Sequence, residues 1–219
     1  MKLMMWIILG LFFAATGVVA AQAAPADGES VFKAGKCQDC HYTAGPAREK
    51  SISDQLAKKG PELWYAGSKF QAAWLQQWLQ DPKVIRPLKY NSLTEANPGD
   101  HAKLAADDAA AVTEFLMGLT SSEVVAGVIT PKNHPKGRLI FRKKMPCSGC
   151  HQFPDRNKVL GGMSGPSLVG AGARLNPDWI YAYLQKAEVF KPVKDMPVFA
   201  GLLGDKDLIA VSAYIATFE

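Results

Sequence analysis

The chain is short of several things, and each shortage excludes something. It holds four cysteines and four histidines in 219 residues. Beyond the N-terminus no apolar run approaches the length of a membrane span. Alternating strand patterns are scarce, so a large sheet is not expected. The formal net charge is only +5, one lysine of it near the start, and such a balance gives no support for nucleic-acid binding. Hydrophobic residues make up 48% and charged residues 21%, which excludes disorder of the whole chain.

The one long apolar run is at the start. Lys2 precedes Leu3 to Ala20, and Ala21-Gln22-Ala23 follows. A charged start, an apolar stretch and a small-x-small site read as a secretory signal peptide over 1–23, cut after Ala23. A retained anchor is the rival reading. Either way the rest is expected outside the cytoplasm, in the periplasm.

All four cysteines fall in two copies of one pattern. These are Cys37-Gln38-Asp39-Cys40-His41 and Cys147-Ser148-Gly149-Cys150-His151. C-x-x-C-H is the attachment pattern for c-type haem. Residues three apart on a helical turn share a face, so both thiols can add to the vinyl groups along one porphyrin side. The histidine that follows then meets the iron as proximal ligand. A disulfide would leave His41 and His151 as coincidences, and a zinc site would need the two pairs to converge. The reading is two covalent haem c groups, at Cys37/Cys40 and Cys147/Cys150. Their propionates bring the assembled charge near neutral.

Other landmarks recur too. At an offset of 105, Gly60-Pro61-Glu62-Leu63 matches Gly165-Pro166-Ser167-Leu168, Trp74 matches Trp179, and Trp78 matches Tyr183. The last helices match at offset 99, Val112 on Val211 and Phe115 on Tyr214. Such ordered recurrence means two copies of one unit. Each copy reads as a short helix, the motif, a loop ending at Gly-Pro-x-Leu, an amphipathic helix and a terminal helix. The amphipathic helices are expected over 70–80 and 177–185, the terminal ones over 106–118 and 205–217. The expected division is a first domain over 24–119, a linker over 120–133 and a second domain over 134–219. So small a unit buries little apolar surface by itself. Trp74 and Trp179 therefore read as packing against haem.

This order of C-x-x-C-H, Gly-Pro-x-Leu, Trp helix, Met-Pro and aromatic-bearing terminal helix resembles class I cytochrome c. The duplication is similar to the tandem dihaem cytochromes c of bacteria. The resemblance implies an all-α fold of two tandem domains, each wrapped around one covalently bound haem. It implies that the Pro61 and Pro166 carbonyls accept the Nδ1–H of His41 and His151. It also implies that Met196, in Met196-Pro197, is the distal ligand of the second haem. The first copy departs from the pattern. Asn91, or Asn97 counted back from the terminal helix, stands where Met196 should match, and the loop is longer. That loop holds His101, which is favoured as the distal ligand of the first haem. The alternatives are an open or water-bound iron, Met117, Lys89, Lys103 and Tyr90, with His101 then a solvated loop residue. His134 reads as structural or exposed.

Val124, Val125, Val128 and Ile129 are too apolar for a free tether and are expected to pack at the domain interface. Lys136, Arg138, Arg142, Lys143, Lys144, Arg156 and Lys158 surround the second motif. They form either a docking face for an acidic redox partner or a plain solvated face. The expected function is electron transfer between redox protein partners, with no catalytic residues assigned. The competing readings are a subunit of a larger, membrane-associated oxidoreductase and an enzyme with an open first haem.

Overall fold

The Asp27 carboxylate accepts from the amides of Glu29 and Ser30, at 3.4 and 3.2 Å, and so caps helix α1 (Gly28–Ala34). The computed structural model describes residues 27–194 and 196–219, so the expected leader at 1–23 lies outside the described residues. A 3-10 turn at Cys37–Asp39 follows, then α2 (Ile52–Ala57), α3 (Ala66–Lys69), α4 (Ala72–Gln80) and α5 (Ala106–Met117). Next come α6 (Pro135–Leu139), a π-turn at Ile140–Lys144, α7 (Cys147–Cys150), β1 (Phe153–Asp155) and β2 (Lys158–Leu160). The chain ends with α8 (Ala171–Arg174), α9 (Pro177–Gln185), α10 (Ala187–Phe190) and α11 (Asp205–Ile215).

The structure is mostly helical. One amendment to the all-α expectation is the antiparallel hairpin of β1 and β2, with Phe153 opposite Leu160 and Asp155 opposite Lys158. It sits where the first copy has α2. The Trp helix of the first copy begins at Ala72, two residues later than expected. Phe70 is extended instead, because it pairs with Leu175 in an antiparallel bridge.

Two apolar cores form. Phe32, Leu75, Leu79, Val112 and Leu116 build the first. Ile140, Phe141, Trp179, Ile180, Leu208, Val211 and Tyr214 lie in the second. Each such side chain contributes about 1.5–3 kcal/mol on burial. In both cores the opening helix crosses the closing one at a glycine. A Cβ on Gly28 would lie 2.0 Å from the Ala111 carbonyl oxygen, and a Cβ on Gly137 would lie 2.0 Å from that of Ala210. No side chain fits there.

The cores meet across a local two-fold relation. The Gln71 amide donates to the Arg174 carbonyl at 3.0 Å, and the Asn176 amide donates to the Lys69 carbonyl at 2.8 Å. These pairs exchange under the same 105-residue offset, as do Phe70 and Leu175. Lys69 sits over the Trp179 ring at 5.0 Å, and Arg174 over the Trp74 ring at 5.9 Å. Chain half and core do not coincide fully. Tyr65, from the first half, is fully buried in the second core, stacked 6.2 Å from Trp179 and edge-on to Phe190 at 4.9 Å.

The expected apolar packing of the linker is seen only in part, against the core that holds Tyr65 of the first half beside second-half residues. Val124 lies against that core and Ile129 is buried, whereas Val125 and Val128 are exposed. The buried Asp178 carboxylate explains the path. It accepts from the Gly127 amide at 2.8 Å and from the Ile129 amide at 2.7 Å. His134 stands at the N-cap position of α6 without a capping hydrogen bond and is half-buried.

Candidate functional site

Each C-x-x-C-H folds into a single turn. The His41 amide donates to the Cys37 carbonyl at 2.9 Å, and the His151 amide to the Cys147 carbonyl at 3.0 Å. This puts both thiols of a motif on one side and swings the imidazole beneath. Among the described residues no group of three or more His, Cys, Asp and Glu side chains could hold a metal ion, so the two cysteine pairs do not converge as a zinc site would require.

The imidazoles are held alike. His41 Nδ1–H donates to the Pro61 carbonyl at 2.7 Å, and His151 Nδ1–H to the Pro166 carbonyl at 2.7 Å. Both bonds were expected from the resemblance. Nδ1 then carries the proton and Nε2 keeps its lone pair for a metal. Burial pushes the pKa of both histidines down, which favours the neutral, ligating form. Burial also raises the Cys147 thiol, to about 11, and that of Cys37. The glycine before each proline clears room for the ring. A Cβ on Gly60 would lie 2.8 Å from His41 Cε1, and one on Gly165 would lie 2.6 Å from His151 Cε1. The two glycines are visible in the repeat, but only the folded loop shows why no side chain stands there.

The opposite sides differ. Leu104 donates its amide to the Leu79 carbonyl at 2.9 Å, which brings the long loop back along α4. His101 thereby lies against Trp78, with ring centres 4.6 Å apart, and faces His41 with ring centres 6.2 Å apart. Two imidazoles sharing one metal, at metal–nitrogen bonds of about 2 Å each, put their ring centres about 6 Å apart. His101 Nδ1 is occupied by the Ala102 carbonyl at 2.9 Å, which leaves Nε2 available. The alternatives are engaged elsewhere. Lys89 pairs with Glu95 at 3.1 Å and Lys103 with Asp81 at 2.9 Å. Tyr90 accepts from Gln55 at 3.3 Å, and Met117 packs on the first core.

Asn91, at the Met196-matched position, does other work. In left-handed backbone at φ 60°, it donates from Nδ2 to the Gln55 carbonyl at 2.7 Å and to the Lys58 carbonyl at 3.0 Å. It therefore satisfies the open end of α2. Met196 lies against the second core, half-buried. Trp179 is buried in that core and Trp74 packs against the first.

The residues fit haem c as a group. Each site offers two thiols, a neutral imidazole and an apolar wall. Trp64 Nε1 and Trp179 Nε1 are buried with no partner. Buried donors of that kind call for an acceptor such as a haem propionate.

The expected basic face is partly neutralised. Lys136 and Lys144 pair with Asp207, and Arg142 pairs with Asp155 at 2.5 Å. Among the described residues Arg138, Lys143, Arg156 and Lys158 have no such carboxylate. Sequence reasoning also missed Glu62 as a buried group. It is 1% exposed and is bonded by Tyr65 at 2.7 Å, Lys58 at 2.5 Å and Lys191 at 3.0 Å. No helix among the described residues is long and apolar enough to cross a membrane.

Comparison with known proteins agrees with the second site. A family described as cytochrome C oxidase, cbb3-type, subunit III matches residues 132–215, which hold the second motif, Met196 and all of α11. No curated protein matches the chain. A chain of the Kuenenia stuttgartiensis reducing HAO-like protein complex is similar at 18% identity and a TM-score of 0.32, covering 86% of this chain and 94% of that one. Residues 132–215 are thus cytochrome c-like, a kind of domain that implies covalent haem c and electron transfer.

Proposed function

We propose that the chain is an exported dihaem cytochrome c that passes electrons between redox proteins in the periplasm, through two tandem class I domains. A haem held at each site supplies a one-electron ferric/ferrous couple. At the first, Cys37 and Cys40 would hold the ring covalently, with His41 and His101 as the iron's ligands. At the second, Cys147, Cys150, His151 and Met196 have the same duties. The Pro61 and Pro166 carbonyls fix the imidazole tautomers, and the Trp74 and Trp179 rings would pack beside the haem. No catalytic residue is assigned, and on this reading His101, not an open position, would complete the first haem's ligands.

The observation that carries this reading is the twice-built motif: two C-x-x-C-H turns, each with its imidazole bonded to a proline carbonyl at 2.7 Å. The test is mass spectrometry of the denatured, acid–acetone-washed chain, with a haem stain. The expected mass exceeds that of the bare polypeptide by two haems. A bare mass without peroxidase-active colour contradicts the proposal. A second reading, that the chain is the cytochrome subunit of a larger oxidoreductase, is favoured by the description of the matching family. Copurification of the native chain with a large partner supports that reading, and a monomer at native abundance contradicts it.

A further inference from the structure

Two cations cross from one half to the other, and they are counterparts under the 105-residue offset. Arg86 follows α4, and its Nη2 donates to the Ser164 carbonyl at 2.9 Å. Beside it, the Ile85 carbonyl accepts from the Ser167 amide at 2.7 Å. Lys191 follows α10, and its ammonium lies 3.0 Å from Glu62 Oε1. Each half therefore sends one cation to the proline loop that holds the other half's histidine.

What the cations meet is different. Lys191 meets the buried Glu62 carboxylate, in a cluster where Lys58 also binds Glu49 at 2.7 Å. Two carboxylates there face two ammonium groups. The residue matching Glu62 is Ser167, which has no charge. Among the described residues no carboxylate lies within 4.0 Å of Arg86, and its Nε is buried without a partner. Glu62 directly follows Pro61, whose carbonyl holds His41, and Arg86 binds the loop of Pro166, whose carbonyl holds His151.

We propose that Glu62 and Arg86 set the order of the two redox couples, the buried carboxylate holding the first low and the uncompensated guanidinium holding the second high. The inference rests on the haem reading above and adds the groups that bias it. Oxidation adds one positive charge at a site, so a nearby anion favours the oxidised form and a nearby cation the reduced form. Buried charges are screened little by salt. One electron leaves the couple at the first site and enters the couple at the second. No bond forms or breaks and no proton moves.

The experiment is a spectroelectrochemical titration of the haem-loaded chain and of Glu62→Gln, Lys191→Met, Arg86→Gln and the double variant Glu62→Gln/Lys191→Met. Haem content by mass comes first. At the first site Glu62→Gln is expected to raise the reduction equilibrium constant about tenfold, or about 59 mV for one electron. Lys191→Met is expected to lower it by a similar factor, and the double variant to return within about threefold of the parent. Arg86→Gln is expected to lower the constant at the second site about tenfold. A purely structural role would move Glu62→Gln and Lys191→Met in the same direction, which overturns the proposal. Should Glu62→Gln not fold, Arg86→Gln decides alone, since that side chain is only half-buried. A chain without haem overturns both readings. Two haems whose potentials do not respond overturn this one alone.

Discussion

The two halves share a frame and differ across from the histidine of each C-x-x-C-H turn. In both, a helix starting near a close-approach glycine crosses the terminal helix, and a proline carbonyl holds the imidazole. In the first, Asn91 is spent on closing α2 and His101 comes in from a longer loop. In the second, a hairpin replaces α2 and Met196 lies against the core. The motif turns and their proline carbonyls are repeated, and the segments across from them have diverged. Loops carry that divergence because they can change length without disturbing the helix crossings.

The comparison breaks most visibly at the cysteines. Replacing Cys37 and Cys40 by Ala is expected to remove one haem and halve the pyridine haemochrome absorbance, and replacing Cys147 and Cys150 is expected to do the same. Unequal losses would show that one motif is idle. Next in size are the distal ligands. His101→Ala is expected to let carbon monoxide bind one ferrous haem per chain within seconds, and Met196→Ala to open the other. Carbon monoxide spectra read both, and an unaltered His101→Ala spectrum would reassign the first site.

Packing comes third. Gly28→Val and Gly137→Val should each cost about 3 kcal/mol in denaturant unfolding, because the new side chain strikes a backbone carbonyl. A loss at only one of them would show that the crossings are not equivalent. Acid should then distinguish the halves. Burial by itself would raise the Glu62 carboxyl, but Lys191, Lys58 and Tyr65 outweigh it and hold the group at about 2, below the usual 4.5. A depressed carboxylate stabilises the fold above its unfolded pKa, and that contribution is lost as pH falls through the folded value. Between about pH 4.5 and pH 2, unfolding should therefore become easier, and the slope should shrink in Glu62→Gln, with no counterpart in Ser167→Ala. The smallest effect is at the linker. Asp178→Ala leaves the buried Ile129 amide without its partner and should cost about 1–3 kcal/mol by the same unfolding measurement.

Much of this was legible beforehand, for physical reasons that can be named. The C-x-x-C-H turns are local, and so are the helices: α9 runs over the expected Pro177–Gln185 and α5 ends one residue short of Gly118. His101 was singled out as one of two histidines outside the motifs, and its ring lies 6.2 Å from that of His41. What could not be read depends on pairing across the chain. Phe70 lost its helix to a bridge with Leu175, 105 residues away. Tyr65 left its own half to fill the other core. The burial of Glu62 was not legible, since acidic side chains are seldom fully buried without partners. Its partners come from three segments, one of them in the other half. Val125 and Val128 were expected to be covered, but the Asp178 clamp fixes the linker path with those side chains outward.

The most direct measurement of the central claim is near-infrared magnetic circular dichroism during a redox titration of the native chain. The account expects two haems, one with a His/His and one with a His/Met charge-transfer band, and the His/His haem oxidised first as the potential rises. A single haem, or the same ligand pair at both sites, would contradict it.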